Sequence, residues 1–148
     1  MTRAVWLALA FTVAFTVNAD PGDDDESQLD PDYAAGMRAI EAKDWKSAIR
    51  LLGSASLRDT RNADIQNQLA YAYRNSGELP LAFKHYNRAL ELNPRHRGAH
   101  EYLGEAYLMI GNRAKAEEHL AALKKICLIP CGELGHLQKR LDEHRKGN

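Results

Sequence analysis

Between Ala63 and Pro94, apolar residues recur at the three- and four-residue spacing of two amphipathic helices. The polar turn Asn75-Ser76-Gly77 separates the two patterns, which predict helices near 62–76 and 80–92. The large apolar side chains are Leu69, Tyr73, Leu79, Phe83, Tyr86, Leu90 and Leu92, and the small ones are Ala70, Ala82 and Ala89.

The same pattern returns when the sequence is shifted in either direction by the length of this helix pair. Forward, Leu69, Ala70, Tyr73, Gly77 and Ala82 correspond to Leu103, Gly104, Tyr107, Gly111 and Ala116; backward, Ala70, Leu79, Ala82 and Ala89 correspond to Gly36, Trp45, Ala48 and Ala55. Three contiguous units therefore lie at 29–62, 63–96 and 97–130. The outer two units predict helices near 32–42, 44–56, 97–110 and 113–126.

This 34-residue unit of two helices resembles the tetratricopeptide repeat family, most closely in its middle copy. The resemblance implies an all-α fold, a right-handed α-solenoid of three helix-turn-helix units. Small residues such as Ala82 and Gly104 are expected where the two helices of a unit cross, because a larger side chain there would push the backbones apart.

The residues after the third unit, 131–148, carry one more amphipathic pattern. Leu134, Leu137 and Leu141 fall on one stripe of a predicted helix near 133–146. A stack of helix pairs leaves an apolar face open at its end. We therefore expect this segment to be a capping helix.

The first residues predict a secretory signal peptide at 1–19, cleaved after Ala19. Arg3 precedes the apolar run Ala4 to Val17, and small residues flank Asn18 at its end. An uncleaved anchor is the alternative, but the run is shorter than the roughly 20 apolar residues that span a bilayer. The mature protein is therefore expected in the periplasm or outside the cell, with no stable membrane insertion after cleavage.

Charge and motifs narrow the function classes. Residues 20–28 are acidic and predict a disordered linker, whereas the whole chain balances 20 basic against 20 acidic residues. This balance gives no reason to expect a nucleic-acid partner.

His96 and His100 are spaced i, i+4 without the glutamate of a zinc-protease motif, so we expect solvated helix residues. No motif assembles a nucleophile and a base, which favours a non-enzyme without a cofactor.

Cys127 and Cys131 are the two cysteines of the chain, and Pro130 lies between them. In an oxidising compartment, a pair this close favours a structural disulfide that holds the cap to the repeats. Two alternatives stay open: a soft-metal site for Cu(I), with His136 or His119 as a third ligand, and a redox-active pair.

The resemblance also implies a function. In tetratricopeptide repeat proteins, partners bind a concave groove lined by the first helix of each unit. The groove positions that carry over are Tyr33, Met37, Asn67, Tyr71, Arg74, Asn75, Glu101 and Glu105. Tyr71, Arg74, Asn67 and Glu105 are expected to contribute most. The sequence thus favours an exported adaptor that binds a peptide of another periplasmic or envelope protein, and it leaves a homodimer open.

Overall fold

The computed structural model describes residues 30–146. This part of the chain forms seven α-helices and no β-strand: α1 (Pro31–Glu41), α2 (Trp45–Arg58), α3 (Ala63–Asn75), α4 (Leu79–Leu92), α5 (Arg97–Met109), α6 (Arg113–Ile126) and α7 (Gly132–Lys146). The predicted all-α fold is confirmed. The predicted signal peptide and acidic linker lie outside the described residues. Within them, no helix has the length and apolar character needed to cross a membrane.

Local sequence explains where the helices begin and turn. The side chains of Asp30, Asp44, Asn62 and Asn112 accept backbone N–H groups at the starts of α1, α2, α3 and α6. The turn within each unit contains one residue at positive φ, and these three residues lie one repeat length apart. They are Lys43 (φ 57°), Gly77 (φ 88°) and Gly111 (φ 74°). The first unit therefore has the same turn as the other two units although lysine replaces glycine, at the steric cost of a left-handed non-glycine residue.

The helices stack in antiparallel pairs, and each second helix packs against the first helix of the next pair. The first helices also contact one another directly: α1 with α3, α3 with α5, and α5 with α7. They form one face of the solenoid, which we call the groove face. The cores between the layers are apolar, and buried alanines such as Ala48, Ala82 and Ala116 allow the helices to approach closely.

The small residues in the first helices face two kinds of neighbour. A Cβ at Gly36 would lie 2.7 Å from Cγ of Leu52, in the second helix of the same unit. A Cβ at Gly104 would lie 2.7 Å from Cδ2 of Leu137, in α7. The expectation that Gly104 serves the crossing within its own unit is therefore incomplete, because its closest neighbour belongs to the cap.

Helix α7 is the cap that the sequence predicted, and it also continues the repeat frame. Leu137 lies one repeat length after Leu103, which lies one repeat length after Leu69, and all three are buried. Leu137 and Leu141 join the last core cluster beside Leu123. Helix α7 therefore takes the place of the first helix of a fourth unit, which lengthens the groove face by one helix.

Candidate protein-binding groove

A cleft of about 720 Å³ opens on the groove face at the N-terminal ends of α3, α5 and α7. Its residues from these helices recur at repeat-equivalent positions. They are Asp64, Gly98 and Gly132; Gln68, Tyr102 and His136; and Asn67 with Glu101. Arg95 and Asn93 of the loop between α4 and α5 complete the rim, together with Arg97 and Glu133. The cleft is thus built by the repeat itself, and its lining is mainly polar.

Asn67 is the cleft residue with a buried polar atom that lacks a hydrogen-bond partner in the described part of the chain. It is only 3% exposed, and its Oδ1 atom accepts no hydrogen bond within residues 30–146. A Cβ at Gly98 would lie 3.3 Å from Nδ2 of Asn67, so any larger side chain at position 98 would crowd the amide. A buried polar atom without a partner lowers the stability of the fold by about 1–3 kcal/mol. A ligand that hydrogen-bonds the amide would recover part of that loss.

Glu101 is the buried acid of the cleft, with 6% of its surface exposed. Burial raises the pKa of its carboxyl group, and the contact with His136 opposes this shift. Nδ1 of His136 lies 3.0 Å from Oε1 of Glu101, which ties α7 to α5. The buried carboxyl group is therefore held by an imidazole and not by a lysine or an arginine.

The rim of the cleft is tied by two further polar pairs. Nε2 of His96 lies 2.9 Å from Oδ1 of Asp64, joining the starts of α5 and α3. Nε of Arg97 lies 3.6 Å from Oε1 of Glu133, joining the starts of α5 and α7. These pairs bridge neighbouring first helices along the rim of the cleft.

A second cluster adjoins the cleft and is centred on Arg74. Its guanidinium carbon lies 5.2 Å from the ring centroid of Tyr71 and 5.3 Å from that of Tyr102. Arg74 also forms an ion pair with Glu105, and both side chains are largely buried. The two tyrosine rings are 4.9 Å apart, and the Trp45 ring meets Tyr71 edge-on at 6.1 Å. The charge of Arg74 is therefore matched within the protein, and the cluster holds α3 and α5 together.

The eight groove positions predicted from the sequence fall into three groups in the structure. Asn67 and Glu101 lie in the cleft, whereas Tyr71, Arg74 and Glu105 form the adjoining cluster. The remaining three lie elsewhere: Tyr33 packs against the buried core of the first unit, Met37 is half-buried on α1, and Asn75 is exposed at the end of α3. Nδ2 of Asn75 donates to the carbonyl oxygen of Tyr71 at 2.8 Å.

Tyr102 belongs to both the cleft and the cluster, and it is not among the eight groove positions predicted from the sequence. It lies one repeat length after Gln68, another cleft residue, and one repeat length before His136. The repeat shift alone could have found it, because positions that are equivalent in a solenoid line the same surface.

The two cysteines form a disulfide, and the cap histidine contacts α5. Cys127 and Cys131 are joined, with their sulfur atoms 2.06 Å apart, and His136 is hydrogen-bonded to Glu101. Across residues 30–146, no group of three or more His, Cys, Asp or Glu is placed to hold a metal ion.

The expectation that His96 and His100 are solvated is wrong. His100 is buried, and it donates from Nε2 to the carbonyl oxygen of Pro94 at 3.0 Å. The side chain of His96 is 11% exposed, and its Nδ1 accepts the backbone N–H of Ala99 at 3.1 Å. His96 is therefore the N-cap of α5, which its spacing from His100 did not indicate.

Solved structures with this architecture come from several proteins. The type III secretion translocator chaperone SycD of Yersinia enterocolitica superposes with a TM-score of 0.73 at 13% identity, over 83% of this chain and 87% of that one. PcrH, in complex with the chaperone binding region of PopD, gives 0.72 at 16% identity, over 83% and 95%. The TPR2B domain of yeast Sti1, in a pHsp70 complex, gives 0.72 at 18% identity, over 79% and 95%.

These identities establish the fold alone. The family model of the tetratricopeptide repeat matches residues 63–96, which are the middle unit of the sequence analysis. The units on either side keep its repeat frame, its turn geometry and its helix pairing. Residues 63–96 therefore match the tetratricopeptide repeat family, and the helices on either side share the fold of these solved structures.

Proposed function

We propose that this protein is an exported adaptor that binds an extended segment of another protein in the cleft of the groove face. The observation that carries the proposal is the amide of Asn67, which is buried at the cleft without a hydrogen-bond partner for its oxygen in the described part of the chain. A side-chain amide can accept from a peptide N–H and donate to a peptide C=O, and it thereby grips a backbone regardless of sequence.

The geometry of the cleft suits such a segment. The rim pairs His96–Asp64 and Arg97–Glu133 leave an open, polar channel across three first helices. Tyr102 offers a partly exposed ring at its wall, and tyrosine is among the side chains most enriched in binding hot spots. The fold neighbours support the same class of function, since PcrH is bound to a region of PopD and the Sti1 domain is in a pHsp70 complex.

The test is selection of peptides from a library displayed on phage, with the purified protein as bait. We expect enriched peptides to lose at least about tenfold in affinity on Asn67→Leu, which keeps the size of the side chain but removes the amide. The matched control is Asn87→Leu, an exposed asparagine of α4 on the outer side. If the enriched peptides bind Asn67→Leu with unchanged affinity, the binding site is not in the cleft.

Export and the role of the disulfide are parts of the same proposal. The basic residue, apolar run and small residues at 1–19 support cleavage after Ala19. The pairing of Cys127 with Cys131 at the junction of α6 and α7 supports a structural bridge that fixes the start of the cap. Native mass spectrometry without reductant tests both: we expect a chain beginning at Asp20, two hydrogens lighter than the reduced form. A full-length chain or free thiols would contradict this part.

A further inference from the structure

The loop between α6 and α7 displays two large aliphatic side chains to solvent. Leu128 is 92% exposed and Ile129 is 78% exposed. They are neighbours in sequence, between the two bonded cysteines and before Pro130. Single exposed aliphatic residues are common on protein surfaces, and Leu57 is one at 81%. Two adjacent ones at the tip of a disulfide-closed loop form an apolar projection, which we call the tip.

The tip stands free of the rest of the fold. The pairs His96–Asp64 and Arg97–Glu133 place the starts of α3, α5 and α7 along one edge of the solenoid, and the loop between α6 and α7 lies at the end of that edge. Neither Leu128 nor Ile129 belongs to a core cluster of the described residues. The disulfide limits the conformations of the loop, so the tip cannot fold back easily onto α6.

The charge beside the tip is basic. Lys124 and Lys125 are exposed in the last turn of α6, directly before the loop. Between Glu118 and Glu133 the chain carries no acidic residue, and Glu133 is itself paired with Arg97. The two lysines form no ion pair with the described residues, so their charges are available to an anionic partner.

We propose that the tip docks the protein on a lipid bilayer that contains anionic lipids. Leu128 and Ile129 enter the interfacial region, while Lys124 and Lys125 contact the headgroup phosphates. Aliphatic side chains beside basic ones are the combination by which peripheral proteins bind such surfaces. The binding is peripheral, and it is independent of peptide binding in the cleft.

The test is co-sedimentation of the oxidised protein with vesicles. Vesicles of phosphatidylglycerol and phosphatidylcholine in equal parts are compared with vesicles of phosphatidylcholine alone. We expect the protein to sediment with the anionic vesicles and to be released by salt. Replacing Lys124 and Lys125 by glutamine should lower the partition coefficient about 30-fold at low ionic strength. Replacing Leu128 and Ile129 by serine should lower it at least about tenfold.

Leu57→Ser is the matched control, because it removes an equally exposed aliphatic side chain away from the tip. It should leave the partition coefficient unchanged. The proposal is overturned if the protein does not sediment with anionic vesicles, if it binds both vesicle types equally, or if the serine pair binds as the wild type does. All substituted side chains are at the surface, so an unchanged melting temperature verifies that each variant is folded.

Discussion

The Nδ1 atoms of His100 in α5 and His119 in α6 lie 2.9 Å apart, so one imidazole donates to the other. Because Nε2 of His100 donates to the carbonyl of Pro94, a neutral His100 accepts at Nδ1 and His119 is the donor. The middle unit contains the equivalent contact one repeat length earlier, where Nδ1 of His85 lies 2.8 Å from Oε1 of Gln66. A hydrogen bond between the two helices at this position is thus shared by the middle and third units.

This pair predicts that the protein loses stability on mild acidification. Burial lowers the pKa of His119 from 6.5 to about 4, and it also lowers the pKa of His100. The folded state therefore binds these protons at lower pH than the unfolded state does. The contribution of this pair to the free energy of unfolding is expected to be constant above about pH 6.5 and to fall between about pH 6.5 and 4. Urea unfolding at a series of pH values measures it.

His100→Gln is the control variant, because it copies the Gln66–His85 pair of the middle unit. The glutamine carbonyl can accept from His119 without a proton of its own to gain. The variant should keep most of its stability at neutral pH and show a shallower loss between pH 6.5 and 4, by up to about 1.4 kcal/mol per pH unit. Identical pH profiles for the two proteins would show that His100 does not titrate with folding.

We expect the contributions of Arg74 and Glu105 to the free energy of unfolding to be strongly coupled. Arg74→Ala would leave Glu105 largely buried, with Arg140 3.9 Å away as its remaining cation, and would remove the contact with the rings of Tyr71 and Tyr102. We expect a loss of about 2–4 kcal/mol in unfolding free energy. A double-mutant cycle with Glu105→Gln measures the coupling. Additive losses would mean that the rings, and not the ion pair, hold Arg74.

The expected contribution of Tyr71 and Arg74 to partner binding stays a prediction, and alanine at Arg74 is a poor test of it. Arg74 is engaged by Glu105 and by the backbone of Tyr102, so an alanine there would disturb the fold as well as any partner. Loss of binding in that variant would not identify the groove. Asn67 is the better probe, since its amide oxygen has no partner within residues 30–146 to release.

The repeat period explains why so much of the fold could be predicted. A shift by one repeat length identifies both helices of each unit, and apolar spacing alone located α7. The tertiary pairs His100–His119 and Glu101–His136 were missed because each joins two helices, and amphipathic spacing describes one helix at a time. Comparing equivalent positions across units recovers part of this information, as Gln68, Tyr102 and His136 illustrate.

Gly104 and Gly53 predict opposite responses to alanine. A Cβ at Gly104 would lie 2.7 Å from the buried Leu137, whereas a Cβ at Gly53 would have no atom within 4 Å. Both glycines lie within helices, so both variants gain the same helix propensity, about 1 kcal/mol. Gly53→Ala should therefore raise the free energy of unfolding. The free energy of unfolding of Gly104→Ala should lie about 1–3 kcal/mol below that of Gly53→Ala, because the added methyl group overpacks the contact with Leu137. Equal free energies of unfolding for the two variants, measured in urea, would mean that α7 moves to make room for the added methyl group.

The disulfide predicts a loss of stability at the cap. Closing the short loop from Cys127 to Cys131 restricts the unfolded chain by about 2 kcal/mol in the chain-entropy account. Replacing both cysteines by serine should lower the free energy of unfolding by about that amount. Hydrogen exchange should accelerate first in α7, whose start would lose its covalent bridge to the end of α6. The amides of α3, which contacts neither α6 nor α7 in the described fold, are the internal reference. Acceleration spread evenly over α3 and α7 would show that the bridge stabilises the whole stack and not the cap alone.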